Sequence, residues 1–206
     1  DDPHPMKAAP RVGFLKPLVT AENVEIGEYT YYDDPDGPKH FYEKCVLYHY
    51  PFIGDWLRIG KFCALAHGVR FLMNGGNHAT GGFSTYPFNI FGAGWEQGFD
   101  FADWTKENRG DTIIEHDVWI GADVTVMPGV RIGSGAIVAT ASVVVSDVPS
   151  YAIVGGNPAK VIKRRFDDAT IQQLLDIAWW DWPAEKITRN LDALRRTDLA
   201  ALKAAR

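Results

Sequence analysis

Aliphatic or small side chains recur at every sixth position in the second half of the chain. Two interleaved series have this spacing: Ile114, Ile120, Val126, Ile132, Val138 and Val144 in one, and Val118, Val124, Val130, Ala136, Ser142 and Val148 in the other. On an α-helix, a step of six residues would distribute these side chains over separate faces, so a helix is excluded. On extended chain the same step keeps them on one side, and the pattern therefore predicts short strands joined by tight corners.

The same frame occurs earlier in the chain, before an interruption at residues 72–111. Its members are Ile53, Ile59, Leu65 and Phe71 in one series and Leu57, Cys63 and Val69 in the other. Hexapeptide repeats are typical of a parallel β-helix, in which three short strands form one triangular coil and successive coils stack about 4.8 Å apart. Cys63 falls on an inward position of this frame, so we favour a small buried hydrophobe there over a catalytic thiol.

The predicted organisation is one β-helix domain with a helical cap. We assign residues 1–166 to the β-helix, with loop excursions near 31–51 and 72–111 that lack the hexad pattern. Residues 167–206 form the expected C-terminal cap, because the last coil would otherwise leave its strand edges exposed.

Two helices are expected in this cap. Asp167 or Asp168 can cap the first helix, and Trp182-Pro183 ends it. The apolar residues at helical spacing are Ile171, Leu174, Leu175 and Ala178 in the first helix, and Ile187, Leu191 and Leu194 in the second.

The charge and cysteine content narrow the class of protein. The 206 residues carry 21 basic and 26 acidic side chains, and the net charge of −5 argues against a dedicated nucleic-acid-binding protein. The two cysteines, Cys45 and Cys63, are too few for a disulfide scaffold and fit a cytoplasmic setting. No apolar run reaches the roughly 18 residues that a membrane span needs, so we expect no membrane association.

The two excursions hold the residues that point to chemistry, because a β-helix uses its inward side chains in packing. Both excursions are rich in aromatic residues, which either pack the loops onto the wall or line a pocket for a bulky apolar molecule. His78 lies between Gly75-Gly76 and Gly81-Gly82, and a neutral imidazole can take a proton from a hydroxyl. The six histidines show no spacing that brings three together, so no metal site is expected.

Several long motifs carry a family likeness. They include NGGNH at 74–78, STYPF at 84–88, DVWIG at 117–121, VMPG at 126–129 and VGGNPAK at 154–160, together with GEYTYYD at 27–33, VLYHYP at 46–51, IGKFC at 59–63 and RFDDATIQQLLDIAWWDWP at 165–183. In this order, and over nearly the whole chain, they closely resemble the xenobiotic acetyltransferases of the hexapeptide-repeat superfamily. Within that superfamily the best match is the streptogramin A (virginiamycin) acetyltransferase group.

The resemblance implies a left-handed β-helix that assembles as a homotrimer, with acetyl-CoA and the acceptor meeting between subunits. It implies that His78 is the general base, which removes a proton from a secondary hydroxyl of a group A streptogramin as that oxygen attacks the thioester. Transfer would be direct, with no acyl-enzyme and no metal.

The resemblance also implies the residues that bind the two substrates. The acceptor would contact Tyr31, Tyr50, Pro87 and Trp119. The pantetheine arm would run past Ala139, Ala141 and Ser146, and the phosphates of CoA would meet Lys160 and Lys163. Residues 160–206 carry ten basic and seven acidic side chains, which fits a phosphate site. Without the resemblance, a solvated surface would be the preferred interpretation of these lysines.

Other acceptors and activities stay open at this point. The same chemistry could act on chloramphenicol or a sugar-like alcohol, and a catalytically silent β-helix scaffold is a third possibility. Two segments depart from the resembled family: the loop between His78 and Ser84 is one residue longer, and Phe99–Lys106 shows little likeness to it. Both could border the acceptor, so they bear on the preferred substrate and not on the reaction.

Overall fold

Three sheets form the walls of the molecule. The structure, a computed structural model, describes residues 3–4 and 6–205. In spatial order, the first wall contains β1 (Val12–Phe14), β3 (Tyr31–Asp33), β6 (Ala64–Ala66), β9 (Trp119–Ile120), β12 (Ile137–Val138), β14 (Ala152–Gly156) and β15 (Ala159–Arg164). The second wall contains β11 (Arg131–Ile132), β8 (Thr112–Ile114), β5 (Leu57–Ile59) and β2 (Val24–Ile26), and the third contains β13 (Val143–Val144), β10 (Thr125–Val126), β7 (Arg70–Leu72) and β4 (Val46–Leu47).

Neighbouring coils are stacked in the register that the hexad pattern predicts. Ile114 of β8 pairs in parallel with Ile59 of β5 on one side and with Ile132 of β11 on the other. Every residue of the predicted inward series is at most 6% exposed. This packing confirms the predicted fold class, a left-handed parallel β-helix with loop excursions and C-terminal helices.

Cys63 occupies the inward position that its place in the repeat predicts. Its side chain is fully buried, and its thiol donates to the carbonyl oxygen of Glu115 over 3.0 Å. Burial raises the pKa of this thiol to about 12. Because only the thiolate is a good nucleophile, Cys63 contributes to packing and not to chemistry at neutral pH.

Both ends of the first wall depart from the parallel repeat. At one end β1 pairs antiparallel with β3, and at the other β14 and β15 form an antiparallel hairpin. The hexad frame of the sequence gives no sign of the outermost strands, β1 and β15, because an antiparallel edge strand follows its own alternation of side chains. The outer strands cover the edges that the end coils would otherwise expose.

The first excursion is shorter than the predicted range 31–51. Tyr31–Asp33 pairs with β6 and Val46–Leu47 with β7, so both segments belong to the walls. The excursion comprises residues 34–45 and ends in the helix α1 (Phe41–Cys45), which buries Phe41 and Cys45. The second excursion begins after Leu72, the last residue of β7, and contains the helix α2 (Phe101–Thr105).

The cap differs in detail from the two helices expected from sequence. Its helices are α3 (Asp168–Ile177), α4 (Ala184–Arg189), α5 (Leu191–Arg195) and α6 (Leu199–Lys203). Asp167 caps α3 by accepting from the amide of Thr170 over 2.7 Å, as its sequence position suggests. The helix ends at Ile177 and not at Trp182, because Ala178 adopts the left-handed conformation with φ of 43°.

No helix in the described part of the chain is long and apolar enough to cross a membrane.

The cap is attached to one corner of the β-helix through a histidine. The ring of His116 stacks on Trp180, with centroids 5.2 Å apart, and its Nδ1 accepts from the amide of Lys61 over 3.0 Å. Burial lowers the pKa of His116. A neutral His116 therefore anchors the cap and is not a candidate base, and the ion pair of Lys61 with Asp181 supports the same contact.

The partly buried carboxyl of Asp117 should make the free energy of unfolding depend on pH. It sits at a left-handed corner with φ of 54°, and burial raises the pKa of its carboxyl to about 6, against the opposing effect of Arg165. Because the pKa in the folded state is raised, the stability contributed by the neutral acid is present below about pH 4 and is lost as pH rises through about 6. Asp117→Asn should therefore stabilise the protein at pH 8, by about 1 kcal/mol because the side chain is partly solvated.

The control for this prediction is Asp123→Asn. Asp123 occupies another left-handed corner, with φ of 57°, but is exposed. Denaturant unfolding at pH 4.5 and pH 8 measures both variants against the parent chain. A gain for Asp117→Asn that is equal at the two pH values, or that Asp123→Asn reproduces, would contradict the assignment.

Candidate active site

His78 is held in one tautomer by the loop that contains it. Its Nδ1 lies 2.8 Å from the carbonyl oxygen of Thr85. A carbonyl oxygen only accepts hydrogen bonds, so Nδ1 of the neutral ring carries the proton and donates it to this bond. Nε2 is left with its lone pair, which makes it the proton-accepting atom of the imidazole. The side chain is exposed and so accessible to a bound molecule.

The two glycine pairs around His78 serve different purposes. A Cβ on Gly75 would lie 2.3 Å from the carbonyl oxygen of Tyr48 and 2.4 Å from the ring of Tyr50, and a Cβ on Gly76 would lie 2.9 Å from the ring of Tyr48. These two glycines therefore let residues 48–50, which follow β4, pack directly against the loop of His78. Gly81 has open space around it, so it makes no comparable close approach.

A buried polar network fixes the start of the His78 loop, and sequence reasoning missed it. The side-chain amide of Asn74 donates to Asp55 over 2.8 Å and to the carbonyl oxygen of Gly110 over 2.9 Å. Its side-chain oxygen accepts from the amide of Arg109 and from the side-chain amide of Asn77. Asp55 and Asn74 are 1% and 2% exposed. The network joins the two ends of the second excursion. The backbone is therefore held in place where the loop of His78 begins and where the excursion ends.

A cavity of about 530 Å³ opens beside His78. Its lining comes from residues 48–52, which follow β4, and from the second excursion, and six of its seventeen residues are Tyr, Phe or Trp. Tyr50 and Phe52 stack with centroids 5.5 Å apart, and Phe52 meets Trp104 edge-on at 5.9 Å. The lining residues are Tyr48, Tyr50, Phe52, Gly75, Gly76, Asn77, His78, Ala79, Ser84, Thr85, Tyr86, Pro87, Asn89, Ile90, Phe99, Asp103 and Trp104.

This lining distinguishes between the two interpretations of the aromatic residues. Tyr86 is 49% exposed and lines the cavity, so it is not simply packed onto the β-helix wall. Of the predicted acceptor residues, Tyr50 and Pro87 lie around the same cavity as His78. Phe99, Asp103 and Trp104 also line it, although they come from the segment that shows little likeness to the resembled family.

Tyr31 and Trp119 lie elsewhere, on the outer surface of the first wall. Tyr31 is in register with Ala64, and Ala64 is in register with Trp119, so the two aromatic residues flank a small one. Their exposed fractions are 37% and 56%. Neither lines the cavity of this chain, and within one subunit the structure does not bring them to His78.

The predicted CoA-binding residues are also apart from the cavity. Ala139 and Ala141 lie in the corner after β12, and Ser146 lies in the corner after β13. Lys160 and Lys163 are on the exposed side of β15. In the described part of the chain, no group of three His, Cys, Asp or Glu side chains is arranged to hold a metal ion.

Comparison with known proteins places this geometry in a family. A family model described as bacterial transferase hexapeptide (six repeats) matches residues 111–145. The virginiamycin A acetyltransferase of Staphylococcus aureus is 46% identical over 204 residues, which cover 98% of this chain and 90% of the relative. The chain belongs to the hexapeptide-repeat acetyltransferases. It is an acetyltransferase of the xenobiotic class within that family.

Other relatives of this acetyltransferase differ in the acceptor that their names give. A probable macrolide acetyltransferase of Lysinibacillus sphaericus is 53% identical over 162 residues, 79% of this chain and 89% of the relative. A chloramphenicol acetyltransferase of Agrobacterium fabrum is 41% identical over 190 residues, 91% of this chain and 90% of the relative. The relatives therefore agree on the type of reaction, which is acetyl transfer, but not on the acceptor.

Proposed function

We propose that this acetyltransferase transfers the acetyl group of acetyl-CoA to a secondary hydroxyl of a group A streptogramin. The observation that carries the proposal is the bond from His78 Nδ1 to the carbonyl of Thr85, which leaves Nε2 as a base beside an aromatic cavity. A cavity of about 530 Å³ fits a bulky, mostly apolar acceptor. The identity to a virginiamycin A acetyltransferase supports this acceptor.

The reaction requires one base and a suitably placed thioester. His78 Nε2 takes the proton of the hydroxyl while its oxygen attacks the thioester carbonyl, which gives a tetrahedral intermediate. The carbon–sulfur bond then breaks, and the imidazolium returns the proton to the departing CoA thiolate. The bond to the Thr85 carbonyl stabilises the imidazolium that forms in between, because the Nδ1 proton stays hydrogen-bonded throughout.

We further propose that the complete site forms between subunits of a homotrimer. Tyr31 and Trp119 would then contact an acceptor held in the cavity of a neighbouring subunit. Both side chains are exposed on the wall and lie outside the cavity lining of their own chain, which supports a contact made in a neighbouring subunit. Light scattering at assay concentration should give the mass of a trimer, and an active monomer would contradict the shared site.

Lys160 and Lys163 are proposed to bind the phosphates of CoA. Their exposed position on β15 supports this, because a phosphate site needs cations that are accessible from solvent. We predict that replacing both by alanine raises KM for acetyl-CoA about tenfold and leaves kcat nearly unchanged.

The matched measurement uses acetyl-pantetheine, which lacks the nucleotide phosphates. Its KM should be the same for the double variant and the parent enzyme. An equal rise of KM for both donors would instead indicate general damage to the donor site and contradict the phosphate contact. A double variant, Lys186→Ala with Lys203→Ala, removes the same number of positive charges from the cap and serves as the charge-matched control.

An acceptor panel tests the proposed function. Release of the CoA thiol is followed with a group A streptogramin, chloramphenicol and simple sugars at matched concentrations. The proposal predicts the highest rate with the streptogramin. A higher rate with chloramphenicol or a sugar would move the activity to that alternative acceptor, and absence of release with every alcohol would favour a catalytically silent scaffold.

A further inference from the structure

Asp103 places a negative charge in a cavity that is otherwise aromatic or neutral. It lies in α2 and lines the cavity together with Tyr48, Tyr50, Phe52, Tyr86, Phe99 and Trp104. Among the residues that line this cavity in the described chain, Asp103 is the one carboxylate, and none is a lysine or an arginine. The lining of this cavity therefore combines aromatic rings with a single negative charge.

This combination is chemically selective. The faces of aromatic rings carry partial negative charge, so they attract a cation and bind it more strongly when part of its hydration is removed. A nearby carboxylate adds a direct charge interaction, and both effects disfavour an anion. A protonated tertiary amine suits such a site well, because its alkyl groups also bury apolar surface against the rings.

Lys106 pairs with Asp103 from the solvent side. The ammonium of Lys106 does not line the cavity, and its side chain is 70% exposed, against 48% for Asp103. Ion pairs with this exposure contribute little stability, so an amine that enters the cavity can compete with Lys106 for the carboxylate. Asp103 lies in α2, and Lys106 lies three positions later, just after the helix. While no acceptor is bound, Lys106 is the partner of the carboxylate.

We infer that Asp103 is a specificity-determining residue, which makes the cavity favour apolar acceptors that carry a protonated amine. The inference rests on the proposed function, since it names a chemical class of acceptor for the same site. It concerns binding of the acceptor beside His78 and adds no chemical step. The residue comes from Phe99–Lys106, the segment whose sequence shows little likeness to the resembled family.

The test compares two acceptors that share one macrocycle. One is a neutral group A streptogramin, and the other is a derivative that bears a tertiary amine on the same ring. The measured quantity is kcat/KM for the amine divided by kcat/KM for the neutral compound. It is determined for the parent enzyme and for two variants that should change it in opposite directions. Asp103→Asn should lower this ratio about fivefold to tenfold, and Lys106→Gln should raise it, because the carboxylate loses its competing partner.

A control variant separates local recognition from the overall charge of the protein. Glu96→Gln removes one negative charge from the same excursion, outside the cavity, and should leave the ratio unchanged. High salt should bring the parent ratio towards that of Asp103→Asn, because screening weakens the charge interaction.

The outcomes separate this inference from the function on which it rests. If both compounds are acetylated but the ratio does not respond to Asp103→Asn or to Lys106→Gln, the role of Asp103 is wrong and the proposed function stands. If Glu96→Gln lowers the ratio as much as Asp103→Asn, recognition by the cavity carboxylate is likewise excluded. Acetylation of neither compound overturns the proposed function, and this inference with it.

Discussion

We expect His78→Ala to lower kcat by about 100-fold to 10,000-fold, the usual contribution of a positioned general base. The variant should keep the assembly state and the acetyl-CoA affinity of the parent. His78 is exposed and its ring is bonded to the carbonyl of Thr85, not to the buried network of Asp55 and Asn74, so its loss should leave that network intact. Steady-state kinetics and donor binding by calorimetry provide the measurement.

His40→Ala is the matched control for this experiment. His40 is also exposed and belongs to the first excursion, but it does not line the cavity. Its variant should retain the rate of the parent within about twofold, as surface substitutions away from a site usually do. A His78→Ala enzyme with activity within a few-fold of the parent would remove His78 from the mechanism.

The enzyme should prefer a group A streptogramin to chloramphenicol as the acceptor. A group A streptogramin is a large macrocycle with a mostly apolar rim, and it can fill the aromatic cavity beside His78. Chloramphenicol is smaller and would leave part of the lining in water, which forfeits about 25 cal/mol per Å² of apolar contact. We therefore expect kcat/KM for the streptogramin to exceed that for chloramphenicol by at least about tenfold, or roughly 1.4 kcal/mol.

Aromatic truncation shows whether the cavity causes this preference. Tyr50→Ala removes a ring that lines the cavity and stacks on Phe52, so it should weaken the larger substrate more and narrow the gap. Tyr31→Ala should act in the same direction if a neighbouring subunit presents Tyr31 to the acceptor. Equal or better kcat/KM with chloramphenicol would show that the acceptor assignment is wrong, although the fold and the reaction would stand.

The hexad pattern predicted the core of this molecule because burial and spacing coincide there. Ile114, Ile120 and the equivalent residues of the other coils point into the core. Side chains alternate between the two faces of a strand, so residues six positions apart lie on the same face. The points at which the chain enters and leaves the repeat are harder to predict from sequence. The sequence predicts a loop beginning at Tyr31, whereas Tyr31 lies in β3, because the excursion that follows shifts the hexad frame.

Local conformation and long-range contacts explain what the sequence did not predict. Ala178 matches the apolar spacing of α3 but adopts a left-handed conformation, which nothing in an alanine side chain signals. Asn74 and Asp55 form their network across nineteen positions in the sequence, so no local motif reveals it. Asp103 belongs to a segment without a recognised motif, and only the folded chain shows that it lines the same cavity as His78.

Transfer of an isotopically labelled acetyl group tests the central claim most directly. The enzyme is incubated with labelled acetyl-CoA and a neutral group A streptogramin, and both the acceptor and the protein are analysed by mass spectrometry. The account predicts one labelled acetyl group on the secondary hydroxyl of the acceptor and none on the protein, with transfer largely lost in His78→Ala. Label bound covalently to a side chain of the enzyme, or full transfer by His78→Ala, would contradict direct acetylation with His78 as the base.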